Sequence, residues 1–285
     1  MLRFYKTYCF ANISFLVQSN IKFSLPDHYD NFETKVKSVD LTFNIFEYDF
    51  QDDNINFKVF NKKIINDLTV EYSNNERIFT VKYEDIKHDK VVWYIDNYSK
   101  NKYDIYITMY NKLNVNNIDP ILMIGLDKIL LQKNSILLHS SLINYHDKGI
   151  IFSAPSGTGK STQADMWKKH YDAKILNGDR SIINCTTFKA YGSPYAGSSQ
   201  IYLNEFVQVS LIIILRQSKI NTIRKLDNKE AFLSVISEVF LSKDRALMDQ
   251  QLKLVESVVK NIPIYLLNCR PDKESVDLVY ELLKE

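Results

Sequence analysis

Cysteine is scarce in this chain, a strong charge of either sign is missing, and so is any long apolar run. Only three cysteines occur in 285 residues, Cys9, Cys185 and Cys269. An odd number without metal-like spacing excludes a disulfide framework and a cysteine metal site. It suits a reducing compartment, with the thiols as small core residues. The formal net charge is +2 and the lysines are scattered, so nucleic acid is not an expected partner. No run approaches the ~18 apolar residues of a membrane span, so no membrane association is expected. The opening Met1-Leu-Arg-Phe-Tyr-Lys-Thr-Tyr8 lacks the apolar block of a signal peptide. The expected location is the cytoplasm. Internal repeats and low-complexity linkers are also missing.

Hydrophobic residues make up 45% and charged residues 25%, as in globular chains of one or two domains. Residues 1–115 read as β-rich. Leu41, Phe43 and Ile45 alternate with Thr42 and Asn44, and Tyr103, Ile105, Ile107 and Met109 alternate with Asp104, Tyr106 and Thr108. Period-two patterns of this kind mark half-buried strands. Asn74-Asn75 and Asp52-Asp53-Asn54 supply turns. The dense aromatics are read as core filling rather than as a stacking surface, since β-propensity alone accounts for them.

The character changes near Asn114–Asp119, and residues 116–285 read as an α/β domain. Pro120 opens a helical pattern with Leu122, Leu126, Ile129 and Leu130 on one face. Strands are expected at 135–139, 149–152, 174–176, 209–215 and 264–267, and helices at 229–241 and 244–260. Val209–Leu215 is apolar throughout, as in a strand covered on both faces. A terminal helix is expected to start at Pro271-Asp272 and to bury Val276, Val279, Leu282 and Leu283.

The most informative stretch is Ser153-Ala-Pro-Ser-Gly-Thr-Gly-Lys-Ser-Thr162. It follows the apolar run Gly149–Phe152 and precedes a run of good helix formers. Strand, glycine loop, helix is the context a phosphate-binding loop requires. Gly157 and Gly159 permit a tight turn that points N–H groups inward, and the following helix adds its positive end. Ser156, Gly157, Thr158, Gly159, Lys160, Ser161 and Thr162 are the candidate nucleotide contacts. Lys160 would reach the outer phosphates and Ser161 would hold Mg²⁺. The usual first glycine of the pattern is here Ala154. The competing reading is an ordinary serine-capped turn.

About 20 residues downstream lies Ile175-Leu-Asn-Gly-Asp-Arg-Ser181. A carboxylate at a strand end after the loop's helix is placed to bind Mg²⁺ or act as a base. Asp179 is that candidate; the competing reading is a solvated turn. Tyr191-Gly-Ser-Pro-Tyr-Ala-Gly-Ser198, with Ser199, is a candidate substrate loop. Arg216 and Arg270 are candidate cations for a transferring phosphoryl group, with structural pairing as the alternative. His146 reads as a surface turn.

Leu-His-Ser-Ser-Leu-Ile at 138–143, the glycine loop, and Leu-Asn-Gly-Asp-Arg at 176–180 together resemble HPr kinase/phosphorylase and ATP-dependent phosphoenolpyruvate carboxykinase. The likeness covers roughly residues 120–285. It also resembles small HPr-kinase-like proteins associated with ribosomally made peptides, some of which phosphorylate serine in a precursor. The resemblance implies an HPr kinase-like nucleotide-binding domain and ATP with Mg²⁺ as cofactors. It implies His139 near the γ-phosphate, Lys160 as the loop lysine, Ser161 as the metal-binding hydroxyl and Asp179 as metal ligand or base. It also implies Asp179, His139 and Lys160 as the catalytic set. Those families carry an Asp-Asp pair where this chain has Gly178-Asp179-Arg180, so one aspartate is missing. HPr kinases act as hexamers, which leaves a homo-oligomer open. The expected reaction is phosphoryl transfer to a hydroxyl, serine of a peptide or small protein first. The alternatives are a small-metabolite kinase acting on free serine and a non-catalytic ATP-binding module. Carboxykinase chemistry ranks below these.

Overall fold

The computed structural model describes residues 2–23, 25, 27–47, 61–65, 68–72, 77–85, 88–97, 101–107, 126–195, 197–242 and 244–284. The turn clusters at 52–54 and 74–75, Thr108, Met109, the helix opening at Pro120 with Leu122, and the 115/116 boundary lie outside these residues. Contacts divide the chain into two compact units, Met1–Cys9 with Ile13–Ile124, and Phe10–Asn12 with Gly125–Glu285.

The first unit is built on strands β1 (Phe4–Phe10), β2 (Ile13–Ser19), β3 (Leu41–Glu47), β4 (Asn61–Ile65), β5 (Leu68–Tyr72), β6 (Arg77–Asp85), β7 (His88–Asn97) and β8 (Lys102–Ile107). They form one sheet in the order β1-β2-β3-β8-β7-β6-β5-β4. β3 runs parallel to both β2 and β8, while β4 to β8 form an antiparallel meander. Leu41, Phe43 and Ile45 are buried, as their alternation predicts. Asn44 is buried as well, because β3 lies inside the sheet; its amide is paired with Gln18 and Asp104 on the neighbouring strands. Tyr8 stacks on Phe15 with centroids 5.1 Å apart, and Phe43 on Tyr103 at 5.4 Å. All four rings are buried, so these aromatics fill a core.

The second unit runs α1 (Leu126–Gln132), β9 (Ser135–Tyr145), β10 (Lys148–Ser153), α2 (Lys160–Tyr171), β11 (Lys174–Asn177), β12 (Arg180–Asn184), β13 (Lys189–Tyr191), β14 (Phe206–Gln217), β15 (Thr222–Lys225), α3 (Asn228–Ile236), α4 (Arg245–Asn261), β16 (Ile264–Cys269) and α5 (Lys273–Glu281). The mixed α/β class expected from the sequence is observed. The sheet order is β10-β9-β12-β13-β14-β16-β15, with β11 on β9. β14 also pairs with β10, which closes the first five strands into a ring. β10, β14 and β16 run parallel.

β14 decides how the layers stack. Ile212 packs among Val235, Val255 and Val258 of α3 and α4. Leu211, Ile213 and Leu215 pack among Ala164 and Trp167 of α2 and Val276 and Val279 of α5. Both faces are therefore covered, which is why the strand is apolar throughout. Each fully buried large side chain contributes about 1.5–3 kcal/mol.

Helix starts follow local capping. Asp227 and Glu230 form a capping box at α3. Asp244 caps α4, and Asp272 caps α5 where Pro271-Asp272 predicts a start. One expected helix differs. The 229–241 pattern stops at Ile236. Residues 238–240 instead pair with β9 through a Leu138–Val239 bridge, His139 N–H to Glu238 O and Phe240 N–H to Leu137 O. β10 covers β9 only from Ser140 to Tyr145. The open edge beyond it captures the backbone, and tertiary pairing overrides helix propensity. Among the described residues no helix is long and apolar enough to cross a membrane.

Candidate active site

The glycine loop leaves the end of β10 and enters α2. Gly157 has φ 78° and Gly159 φ 117°, in the left-handed region that L side chains rarely adopt. A Cβ at either position would meet nothing within 4 Å, so the requirement is conformational rather than spatial. Gly159 caps α2 without a side-chain bond. The first-turn N–H groups then point outward, as anion binding needs.

Ala154, in place of the usual glycine, is 1% exposed and has no positive φ. A methyl group there costs nothing, and its carbonyl accepts a hydrogen bond from Lys160 Nζ at 2.9 Å. Lys160 Nζ also lies 3.4 Å from Pro155 O. Burial holds the Lys160 ammonium below the usual lysine range, while the nearby carboxylates of Asp179 and Glu238 pull the other way. Gln217, at the end of β14, donates to Gly157 O at 3.2 Å and ties the loop to the next parallel strand.

Asp179 stands just before β12, on a turn organised by a buried asparagine. Asn177 Oδ1 accepts from Asp179 N–H at 2.9 Å and Arg180 N–H at 2.7 Å. Its Nδ2 donates to Ser193 O at 2.9 Å, which ties the turn to the candidate substrate loop. The Asp179 carboxylate faces His139 Nε2 at 3.4 Å and Arg180 Nε at 3.4 Å. Gly197, with φ 54°, packs on the same carboxylate; a Cβ there would lie 2.7 Å from Asp179 Cγ. Gly178 is equally constrained, since its Cβ would lie 1.9 Å from Ser199 Oγ. Ser199 therefore leaves no room for a side chain at position 178.

His139 is half-buried, and its ring meets side chains. Its Nδ1 lies 3.0 Å from Glu238 Oε2, and its ring stands between Glu238 and Asp179. Ser153, the last residue of β10, donates through Oγ to His139 O at 3.0 Å.

Ser161 Oγ donates to Gly178 O at 3.5 Å, which brings the loop hydroxyl to the residue beside Asp179. A hydroxyl and a carboxylate, both oxygen donors, fit Mg²⁺, a hard ion that keeps several waters and binds through few protein ligands. Among the described residues no group of three or more His, Cys, Asp or Glu side chains forms a ready metal site.

The structure thus gathers Lys160, Ser161, Asp179 and His139 with Ala154, Gly157 and Gly159 around one end of the sheet. Ser156 and Thr158 lie on the same loop, and Thr162 on the first turn of α2. Arg270 is held by Asp272 and by Glu274 at 2.9 Å, and donates to Lys219 O at 3.0 Å, so it is structural. Arg216 is exposed beside Gln217. His146 lies in the exposed β9–β10 turn with φ 47°. Sequence reading missed Glu238, Gln217 and the turn-building role of Asn177. Only Asn177 carried a signal, since asparagine two residues before a backbone N–H favours such a turn.

No protein-family model matches this chain, and no curated protein matches it either.

Proposed function

We propose that this chain is an ATP- and Mg²⁺-dependent kinase with an HPr kinase-like nucleotide-binding domain. It transfers the γ-phosphate to a hydroxyl, serine of a peptide or small protein. The observation that carries this reading is the convergence of a phosphate loop and a carboxylate–histidine pair at one end of the parallel strands. Ligands of α/β sheets bind at that end.

Lys160 exchanges the carbonyls of Ala154 and Pro155 for the outer phosphates, and the first-turn N–H groups of α2 receive the phosphate oxygens. Ser161 would hold Mg²⁺, whose chemistry is to neutralise charge on the β- and γ-phosphates. Asp179 accepts the proton of the acceptor hydroxyl as the new O–P bond forms. The bond between the γ-phosphorus and the β,γ-bridging oxygen breaks, and ADP leaves. An extended peptide is favoured over a small dicarboxylate, because Arg270 is engaged in ion pairs and, among the described residues, no bidentate cation cluster is gathered at the site. The buried thiols of Cys185 and Cys269 suit the cytoplasm.

The test is incubation with γ-labelled ATP and Mg²⁺ against serine-containing peptides, free serine and oxaloacetate, read by mass spectrometry. Phosphate on a peptide hydroxyl is expected. Label on free serine alone, or ATP-dependent decarboxylation of oxaloacetate without peptide labelling, overturns the acceptor assignment. Binding without turnover on any acceptor overturns the kinase assignment.

A further inference from the structure

Glu238 lies outside every motif, yet it enters the site through the fold. Beyond Ser153 the edge of β9 passes from β10 to residues 238–240. That pairing is made by backbone groups of residues 137–139 and 238–240. It sets the Glu238 side chain beside the phosphate loop, where its carboxylate is only 9% exposed. A carboxylate so buried needs a hydrogen-bond donor, and His139 Nδ1 at 3.0 Å supplies one. Donation from Nδ1 to a carboxylate fixes both the tautomer and the plane of an imidazole ring. The other ring nitrogen is then turned to Asp179 Oδ1, 3.4 Å away.

We propose that Glu238 is a positioning residue: by accepting from Nδ1–H it holds the His139 ring in one plane, with the Nε2 lone pair turned into the site beside Asp179, where the acceptor hydroxyl must enter. This rests on the phosphoryl-transfer reading of the site. The ring-holding part can be tested without turnover.

The full chain carrying Glu238→Ala or Glu238→Gln is compared with wild type at one fixed pH. Long-range ¹H–¹⁵N spectra report the tautomer of His139, assigned with a His139→Asn variant. Backbone amide signals of residues 137–139 report whether the strand pairing survives, which it should, since that pairing is main-chain. In wild type one tautomer is expected, with the proton on Nδ1. Glu238→Ala should mix the tautomers. Glu238→Gln should restore one, because its amide oxygen still accepts from Nδ1–H. In transfer assays Glu238→Ala should lower kcat by about 10–100-fold, as loss of such supporting partners does. The KM for ATP should stay within about twofold of wild type, and Glu238→Gln should recover most of kcat. Unchanged ring signals in Glu238→Ala, with strand pairing intact, overturn the proposal whatever happens to activity. So does an equal kcat loss in both variants. Mixed tautomers in Glu238→Ala, in a protein whose wild type phosphorylates nothing, uphold the ring-holding role and overturn the kinase reading instead.

Discussion

Gly178 packs so tightly on Ser199 that a side chain at 178 would place its Cβ 1.9 Å from Ser199 Oγ and 2.4 Å from Ser199 Cβ. The candidate substrate loop and the turn before Asp179 are thus mutually fitted, and the fit excludes a side chain at position 178. Gly178→Ala should destabilise the fold by about 1–3 kcal/mol, as overpacking does. Adding Ser199→Gly should recover most of that loss, because it removes both clashing atoms. Urea denaturation of the two single variants and the double variant closes the cycle. Additive losses would show that the two positions do not share this space.

Burial of the Lys160 ammonium costs the folded chain stability. Its folded pKa is held below the usual range by burial. The folded chain therefore binds this proton less tightly than the unfolded chain, a cost present at neutral pH that fades only as pH rises past the ordinary lysine value. Lys160→Met should keep or raise the Tm of the nucleotide-free chain at pH 7. Its affinity for ATP with Mg²⁺ should fall at least tenfold, about 1.4 kcal/mol or more. Scanning fluorimetry and calorimetric titration measure the two effects separately. Unchanged affinity would remove the loop from the proposed function.

Asp179→Asn keeps the shape of the side chain and loses its charge and basicity. Since Asn177 holds the turn through the backbone N–H groups of residues 179 and 180, the fold should survive. Phosphoryl transfer should fall by about 10²–10⁴-fold, the usual contribution of a positioned base. Steady-state kinetics beside a circular dichroism spectrum is the check. Full activity would move the base elsewhere, with His139 the next group to test.

Burial pushes the Cys185 thiol from its ordinary value of 9.0 up to about 12. The folded pKa is raised, so the associated stability is complete below pH 9 and is lost as pH climbs toward 12. Between pH 8 and pH 10 the wild type should lose more stability than Cys185→Ala. Chemical denaturation at both values measures the difference. An identical loss in the two proteins would show that the thiol does not contribute.

Much of the second unit can be read from residue order, because its signals are local. Apolar β-branched runs mark β10 and β14. Asp272 marks the start of α5, and the glycine pattern marks the phosphate loop. The short strands β12, β13 and β15 carry no such signal. Their pairing partners supply the stability that their own three to five residues do not. The helix expected across 229–241 breaks at Ile236 for the same kind of reason, since an open strand edge offers Val239 better pairing than another helical turn.

The site divides along the same line. Ser153 to Thr162 determines its own loop, because two positive φ angles and a following helix are properties of neighbouring residues. The Asn177 turn that presents Asp179 is local too. What only the tertiary structure decides is that Glu238, 99 residues from His139, shares its ring, and that Gly197 and Ser199 close against Asp179 and Gly178. Those contacts depend on which strand edge is left open and on how two distant loops fill one space. No pattern along the chain encodes either of these directly.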